Sequence, residues 1–169
     1  GNRSFENCFG LTQVNIPNTV TSIENQAFRN CKKLWDVSLS ETLVKIGDGA
    51  FWGCVSLVSI IIPKTVTTIA GEAFSGCYKL VEVINSSTLT INKGDGEKSG
   101  FVAYNALKVI KGESEIVNCD DYLFYTFENV NYLVAYVGND ENIVLPSDYN
   151  GESYTVYKCA FAYQDYINS

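Results

Sequence analysis

The feature that most constrains the fold of this chain is a repeat whose period is 23 positions. Each repeat contains a phenylalanine followed three residues later by a cysteine. These pairs are Phe5/Cys8, Phe28/Cys31, Phe51/Cys54 and Phe74/Cys77. A unit this short cannot bury its apolar side chains against itself, so consecutive units must stack and share one core. The period therefore predicts a solenoid in which each phenylalanine lies on its counterpart one coil away.

Within each unit, a leucine is followed by alternating apolar residues, as in Leu34, Val37 and Leu39. This alternation predicts a short strand with Val37 and Leu39 facing the core. The Ala-Phe-x-x-Cys segment is too short for a stable helix, so it predicts a turn of helix or 3₁₀ helix on the opposite side of the coil. The predicted fold class is a right-handed coil of short parallel β-strands joined by short helical turns.

A complete unit reads L-x-x-V-x-I-P-x-x-V-x-x-I-x-x-x-A-F-x-x-C, with Pro17 and Pro63 directly after the strand. Because this pattern fixes the proline, the Ala-Phe pair and the cysteine in one period, the chain resembles the BspA-like class of leucine-rich repeat. Ser40 stands where the proline would be, which is a local departure. The resemblance covers residues 1 to about 84. It implies a leucine-rich repeat solenoid from a bacterial cell-surface or secreted protein that takes part in adhesion.

The register changes after Val83, where polar, turn-forming residues fill positions 92–100. Residues 89–91 predict one more short strand, and 101–107 a degenerate Ala-Phe turn. Residues 122–127 and 132–137 are rich in aromatic and β-branched side chains, so they predict a β-hairpin around 128–131.

Residues 143–146 and 156–161 return to the form of the earlier units, with a bulged loop expected at 149–152. In this register Gln164 takes the cysteine position and Ile167 the leucine position. We therefore predict a repeat array at 1–84, an inserted loop and hairpin segment at 85–142, and a resumed, truncated repeat at 143–169. We also expect further repeats in the parent protein.

The cysteine ladder admits two interpretations. Equivalent residues on stacked coils lie about 4.7–4.9 Å apart, which is within disulfide reach. Parallel Cβ directions and the recurrence of one small buried residue favour free thiols that act as compact apolar side chains. Cys119 and Cys159 lie outside the register, and pairing between them remains open.

Several classes of chemistry are disfavoured. The chain has no histidine, the commonest general base near neutral pH, so we predict no enzymatic activity. Cysteines spaced one full repeat apart do not converge on a metal, and neither 95–97 nor 148–152 has the spacing of a calcium loop, although calcium remains an open question. We predict no cofactor. A net charge of −7 argues against nucleic acid, and no apolar run is long enough to insert into a membrane.

A binding surface is the remaining prediction. The outward side chains of the strands form a ribbon of mixed polarity, bordered by Trp35, which either covers the edge of the core or anchors a partner. The candidate partner-binding residues are Trp35, Asp36, Ser38, Ser59, Ile61, Glu82 and Ile84. Ile61 and Ile84 are expected to be uncovered, and packing against the inserted hairpin is the alternative.

We therefore predict a protein-binding module, with glycans as a further class of partner; adhesion is what the resemblance to BspA-like proteins implies. The alternative function is a structural spacer that presents another domain of a larger surface protein.

Overall fold

The computed structural model describes residues 1–140, 142–158 and 160–161. The chain divides into two compact units, Gly1–Ser114 and Glu115–Ser169. The first contains eight strands: β1 Gln13–Asn15, β2 Ser22–Ile23, β3 Asp36–Ser38, β4 Lys45–Ile46, β5 Ser59–Ile62, β6 Thr68–Ile69, β7 Glu82–Asn85 and β8 Lys108–Ile110. The second contains β9 Val117–Cys119, β10 Tyr122–Phe127, β11 Val130–Tyr136 and β12 Thr155–Val156.

The first unit is a parallel solenoid with two columns of strands. In one column β1 pairs with β3, and β5 pairs with β7, which pairs with β8. In the other column β2, β4 and β6 form a three-stranded parallel sheet. Residues 23 positions apart are direct partners, as in Val14 and Val37 or Ile60 and Val83. The predicted solenoid is therefore confirmed.

The phenylalanine rings of successive coils stack on one another along the solenoid. Ring centroids are 5.1 Å apart between Phe5 and Phe28, 5.3 Å between Phe28 and Phe51, and 5.1 Å between Phe51 and Phe74. The first two pairs of rings are parallel within 4°. Phe28, Phe51 and Phe74 are buried in one apolar core with the leucines and cysteines of their coils. The predicted stacking of phenylalanines is thus confirmed.

The turns opposite the first strand column contain bonds of the 3₁₀ type without forming regular helices. The amide of Cys31 donates to the carbonyl of Phe28 at 3.2 Å, for example, and that of Arg29 to Gln26 at 3.1 Å. Each turn ends in the left-handed region at the residue before the cysteine, which is Asn7, Asn30, Gly53 or Gly76. Among the described residues, only Glu97–Ser99 forms a 3₁₀ helix. The fold therefore contains less helix than the sequence suggested.

The turn that follows the first strand of each coil forms with or without a proline. Backbone amides three residues later donate to the carbonyls of Pro17, Ser40 and Pro63 at 2.9, 3.0 and 3.1 Å. Ser40 is fully buried, and its hydroxyl accepts from the amide of Thr42 at 3.2 Å. The same turn is thus closed in all three coils.

A further coil follows β7. The carbonyl of Gly100 accepts the amide of Phe74 at 2.8 Å, and Val102, Ala103 and Ala106 join the common core. The degenerate turn predicted at 101–107 is therefore present, although Phe101 lies edge-on to Tyr104 instead of extending the phenylalanine file.

The strand predicted at 89–91 is wrong, because the Asn85 side chain donates to the carbonyl of Leu89 at 2.8 Å and closes a tight loop there. The first strand column nevertheless continues to Ile110 through β8. The division of the chain at residues 84 and 142 remains a prediction.

The described residues of the second unit form a four-stranded sheet in the order β12-β11-β10-β9. The predicted hairpin is formed by β10 and β11, with Glu128 and Asn129 at positive φ in its turn. β12 pairs in parallel with β11, and the amide of Tyr157 donates to the carbonyl of Leu133 at 2.8 Å. This arrangement repeats that of β6 on β4, where the amide of Ala70 donates to the carbonyl of Ile46 at 3.0 Å.

Other parts of the resumed repeat differ from the sequence pattern. Residues 143–146 form no strand, and Val144 is 79% exposed, because tyrosine hydroxyls bind the backbone there. Tyr122 donates to the carbonyl of Val144 at 2.6 Å, and Tyr154 donates to that of Pro146 at 2.6 Å. At 149–152, where a bulged loop was expected, Tyr149 and Glu152 form an isolated antiparallel bridge that closes a tight turn. Cys159, Gln164 and Ile167 lie outside the described residues.

Candidate interaction surface

Six outward-facing side chains of β1, β3 and β5 form a surface that we call the exposed ribbon. They are Gln13, Asn15, Asp36, Ser38, Ser59 and Ile61. Parallel pairing sets Gln13 beside Asp36 and Asn15 beside Ser38. Because the strands are fixed to a common core, the ribbon is a rigid surface with two side chains from each coil.

Trp35 borders the exposed ribbon immediately before β3. Its amide donates to the carbonyl of Thr12 at 3.0 Å, and its carbonyl accepts the amide of Val58 at 3.4 Å. These bonds fix the backbone of Trp35 between two neighbouring coils. The residue is half-buried, so part of its surface remains open to solvent.

Ile61 is the large apolar side chain of the ribbon, and it is 45% exposed. Ser59 is half-buried, and its hydroxyl donates to Glu82 at 3.2 Å. Asp36 and Ser38 are exposed on the adjacent coil. Partial burial raises the pKa of the Asp36 carboxyl above its ordinary value, and the backbone amide of Val37 opposes that rise. The ribbon therefore combines an apolar contact with polar neighbours.

The ribbon ends before β7, because Glu82 and Ile84 are fully buried. The Glu82 carboxylate accepts the hydroxyl of Ser114 at 2.6 Å in addition to that of Ser59. The expectation that Ile84 is uncovered is therefore wrong. The strand pattern places Ile84 outward but does not show which parts of the chain return over the sheet. The seven predicted residues thus divide into five that reach the surface and two that do not.

Sequence reasoning missed a second feature, on the turn side of the coils. The Arg29 guanidinium lies over the Trp52 ring at 4.6 Å, and its Nη1 atom is 3.8 Å from the Glu6 carboxylate. These three residues directly follow the phenylalanines of successive coils, so the period itself could have predicted their contact. Trp52 is consequently held by a cation–π contact on the face opposite the ribbon.

Two of the acidic residues considered as calcium ligands accept hydrogen bonds from backbone amides of the turns that contain them. Asp95 accepts the amide of Asn92 at 2.7 Å, and Asp148 accepts the amide of Gly151 at 2.9 Å. The hydroxyl of Ser147, which donates to the Asp148 carboxylate at 2.8 Å, and then the amide of Gly151 lower the pKa of the Asp148 carboxyl. Within the described residues, no group of three potential ligands is arranged to hold a metal ion.

Comparison with known proteins identifies the family. The sequence model of the BspA type leucine rich repeat region matches six copies over residues 1–131. This chain belongs to that family. The match agrees with the observed solenoid, in which one coil is laid on the next.

The chain is also similar to a solved leucine rich cell surface protein of Faecalibacterium prausnitzii, with 27% identity over 79% of the chain and a TM-score of 0.50. It spans 28% of the length of that protein. A leucine rich repeat protein of T. pallidum is 27% identical, over 48% of this chain and 49% of that one, with a TM-score of 0.38. No curated protein matches the chain. None of the helices in the described part of the chain has the length and apolar character needed to cross a membrane.

Proposed function

We propose that this chain is a non-enzymatic, protein-binding module of a bacterial cell-surface or secreted protein, and that the exposed ribbon is its contact surface. The contact residues in this proposal are Trp35, Asp36, Ser38, Ser59 and Ile61. The observation that supports it is the exposure of Ile61 on β5. The half-buried Trp35, whose backbone is bonded to both neighbouring coils, precedes β3 on the adjacent coil of the same array. Such a combination is typical of interface anchors surrounded by polar groups.

The surface location is supported by the family and by the cell-surface relative. The kind of partner follows from the shape of the ribbon. A flat row of side chains at regular spacing suits another protein surface better than a small molecule, which needs a concave site. Adhesion to a protein of another cell or of the extracellular matrix is the function that we propose for such contact.

The test is an array of matrix and cell-surface proteins probed with the whole chain and with two variants. Ile61→Asp places a charge in the proposed contact and should weaken a detected interaction at least about tenfold. Val44→Asp is the matched control, since Val44 is 44% exposed and lies beside β4 in the other strand column. Binding that is equally strong in wild type and Ile61→Asp would place the contact elsewhere.

A structural spacer is the second candidate. The continuous file of phenylalanine rings favours it, because a solenoid with one uninterrupted core holds its ends at a fixed separation. The same array separates the two functions. If no protein on it binds the wild-type chain, the spacer is favoured.

A further inference from the structure

A polar groove lies in the second unit, between the turn of the β10–β11 hairpin and the segment that leads into β12. Its volume is about 430 Å³, within the range of about 300–1,000 Å³ typical of small-ligand sites. One side is lined by Asn129, Val130 and Asn131, and the other by Glu152, Ser153 and Thr155. The groove arises because β11 and β12 pair only from Tyr132 onward, so the preceding residues diverge.

Both walls of the groove are fixed by tight turns. Glu128 and Asn129 are at φ 52° and 62°, and the opposite wall is closed by the bridge between Tyr149 and Glu152. The Tyr154 ring packs edge-on against Phe124, with centroids 5.2 Å apart. The backbone of both walls is therefore fixed before any ligand arrives, which reduces the entropic cost of binding.

A chain of hydrogen bonds orients the central side chains. The hydroxyl of Thr126 donates to Oδ1 of Asn131 at 2.8 Å, and Nδ2 of Asn131 donates to Oε2 of Glu152 at 3.0 Å. Among the described residues, no protein group donates to the second carboxylate oxygen of Glu152, Oε1. Within that part of the chain, the Glu152 carboxylate is thus fixed by one oxygen and available through the other.

The lining selects the charge of a ligand. None of the described residues that line the groove is basic, and Glu152 is acidic, so an anion would be repelled. An ammonium group only donates hydrogen bonds, so it can bond to Glu152 but accepts nothing from the amide of Asn129 or the hydroxyls of Ser153 and Thr155. A hydroxyl both donates and accepts, so a ligand with several hydroxyls can satisfy the whole set.

We propose that this groove binds a neutral saccharide. Glu152 accepts a sugar hydroxyl through Oε1, and Asn129, Ser153 and Thr155 bond its other hydroxyls. Val130, which is 39% exposed, provides an apolar contact for the C–H groups of the ring. This site is separate from the exposed ribbon, so it adds a second binding activity that does not depend on the first.

The test uses the whole chain and saturation-transfer NMR with methyl α-mannoside, methyl β-galactoside and methyl β-N-acetylglucosaminide. Nα-acetyl-lysine amide and glucuronate serve as cationic and anionic probes. We expect at least one neutral glycoside to bind at millimolar concentration. Glu152→Gln should weaken that binding about tenfold, because it removes a charged acceptor. Glu128→Gln removes the same charge from the turn beside the groove and should leave binding unchanged.

Thr155→Val gives a second variant of equal size, and circular dichroism checks that each variant is folded. Binding by no glycoside, equal binding by wild type and both groove variants, or preference for the lysine or glucuronate probe would overturn the proposal. Loss of binding in Glu128→Gln and Glu152→Gln alike would also overturn it. The Ile61→Asp variant should bind saccharide normally, so failure of either site can be distinguished from failure of the other.

Discussion

Cysteine occupies one position of each coil because its side chain is small, apolar and able to donate a hydrogen bond. The thiols of Cys31, Cys54 and Cys77 donate to the carbonyl of the phenylalanine one coil earlier, at 3.1, 3.1 and 3.2 Å. The structure has these thiols free. The sequence favoured free apolar thiols, but it could not show the hydrogen bond, because the direction of each side chain depends on how the coils stack.

The buried thiols should make the protein less stable in alkali. Burial raises the pKa of Cys31 from 9.0 to about 11 and that of Cys77 from 9.0 to about 12, and raises that of Cys54 well above 9.0. Above pH 9.0 the unfolded chain loses these protons while the folded chain keeps them, so stability is full below that pH and falls above it. Each thiol should lower the free energy of unfolding by about 1.4 kcal/mol per pH unit until it ionises in the folded state.

Urea unfolding of wild type and Cys54→Ala between pH 8 and 11 measures this effect. The free energy of unfolding should fall less steeply with pH in the variant, because one buried thiol is missing. Val66→Ala is the matched control: Val66 is fully buried but does not titrate, so it should lower stability equally at each pH. Equal slopes for wild type and Cys54→Ala would contradict the argument.

The strands of the first column could be predicted from the sequence, whereas those of the second column, β2, β4 and β6, could not. β3 and β5 follow from the alternation of apolar residues, as at Val37 and Leu39. The strands β2, β4 and β6 are two residues long, too short to show a period of two. Their pairing follows from the stacking of coils and not from a local pattern.

The coil that follows β7 depends on a glycine that the sequence pattern did not single out. Gly100 ends the 3₁₀ helix at φ 62°, and a Cβ atom there would lie 2.5 Å from the carbonyl oxygen of Ala70 and 2.6 Å from Ile69. Gly100→Ala should therefore destabilise the protein by about 2–4 kcal/mol, combining a left-handed backbone with a clash.

Thermal and urea unfolding test this prediction against Gly94→Ala. Gly94 also has positive φ, at 81°, but a Cβ atom there meets nothing within 4 Å. Gly94→Ala should lower the free energy of unfolding by only about 1–2 kcal/mol, which is the effect of the left-handed backbone alone. An equal loss in the two variants would show that close packing of this coil against Ile69 and Ala70 contributes nothing.

For the whole molecule, the period predicts how coils stack but not which surfaces remain open. Ile61 and Ile84 occupy equivalent positions on paired strands, yet Ile61 is 45% exposed and Ile84 is buried. The polar groove of the second unit could likewise not be predicted from the sequence, because Asn131 and Glu152 come into contact only through the pairing of β12 with β11. Contacts between residues distant in the chain and outside the repeat carry no periodic signal, which is why the fold was easier to predict than the site.

If every coil is an equivalent layer, removal of one complete layer should leave a folded chain. Deletion of 32–54 removes one whole period of the repeat. Val14 would then pair with Ile60 and Phe28 would stack on Phe74, which keeps the core continuous. We expect cooperative unfolding, with stability reduced by about one coil interface.

Deletion of 32–51 is the matched control, because it falls short of a whole period and breaks the register, so it should abolish cooperative unfolding. Circular dichroism during heating distinguishes the two variants. If both unfold alike, the stability of the array does not come from in-register stacking.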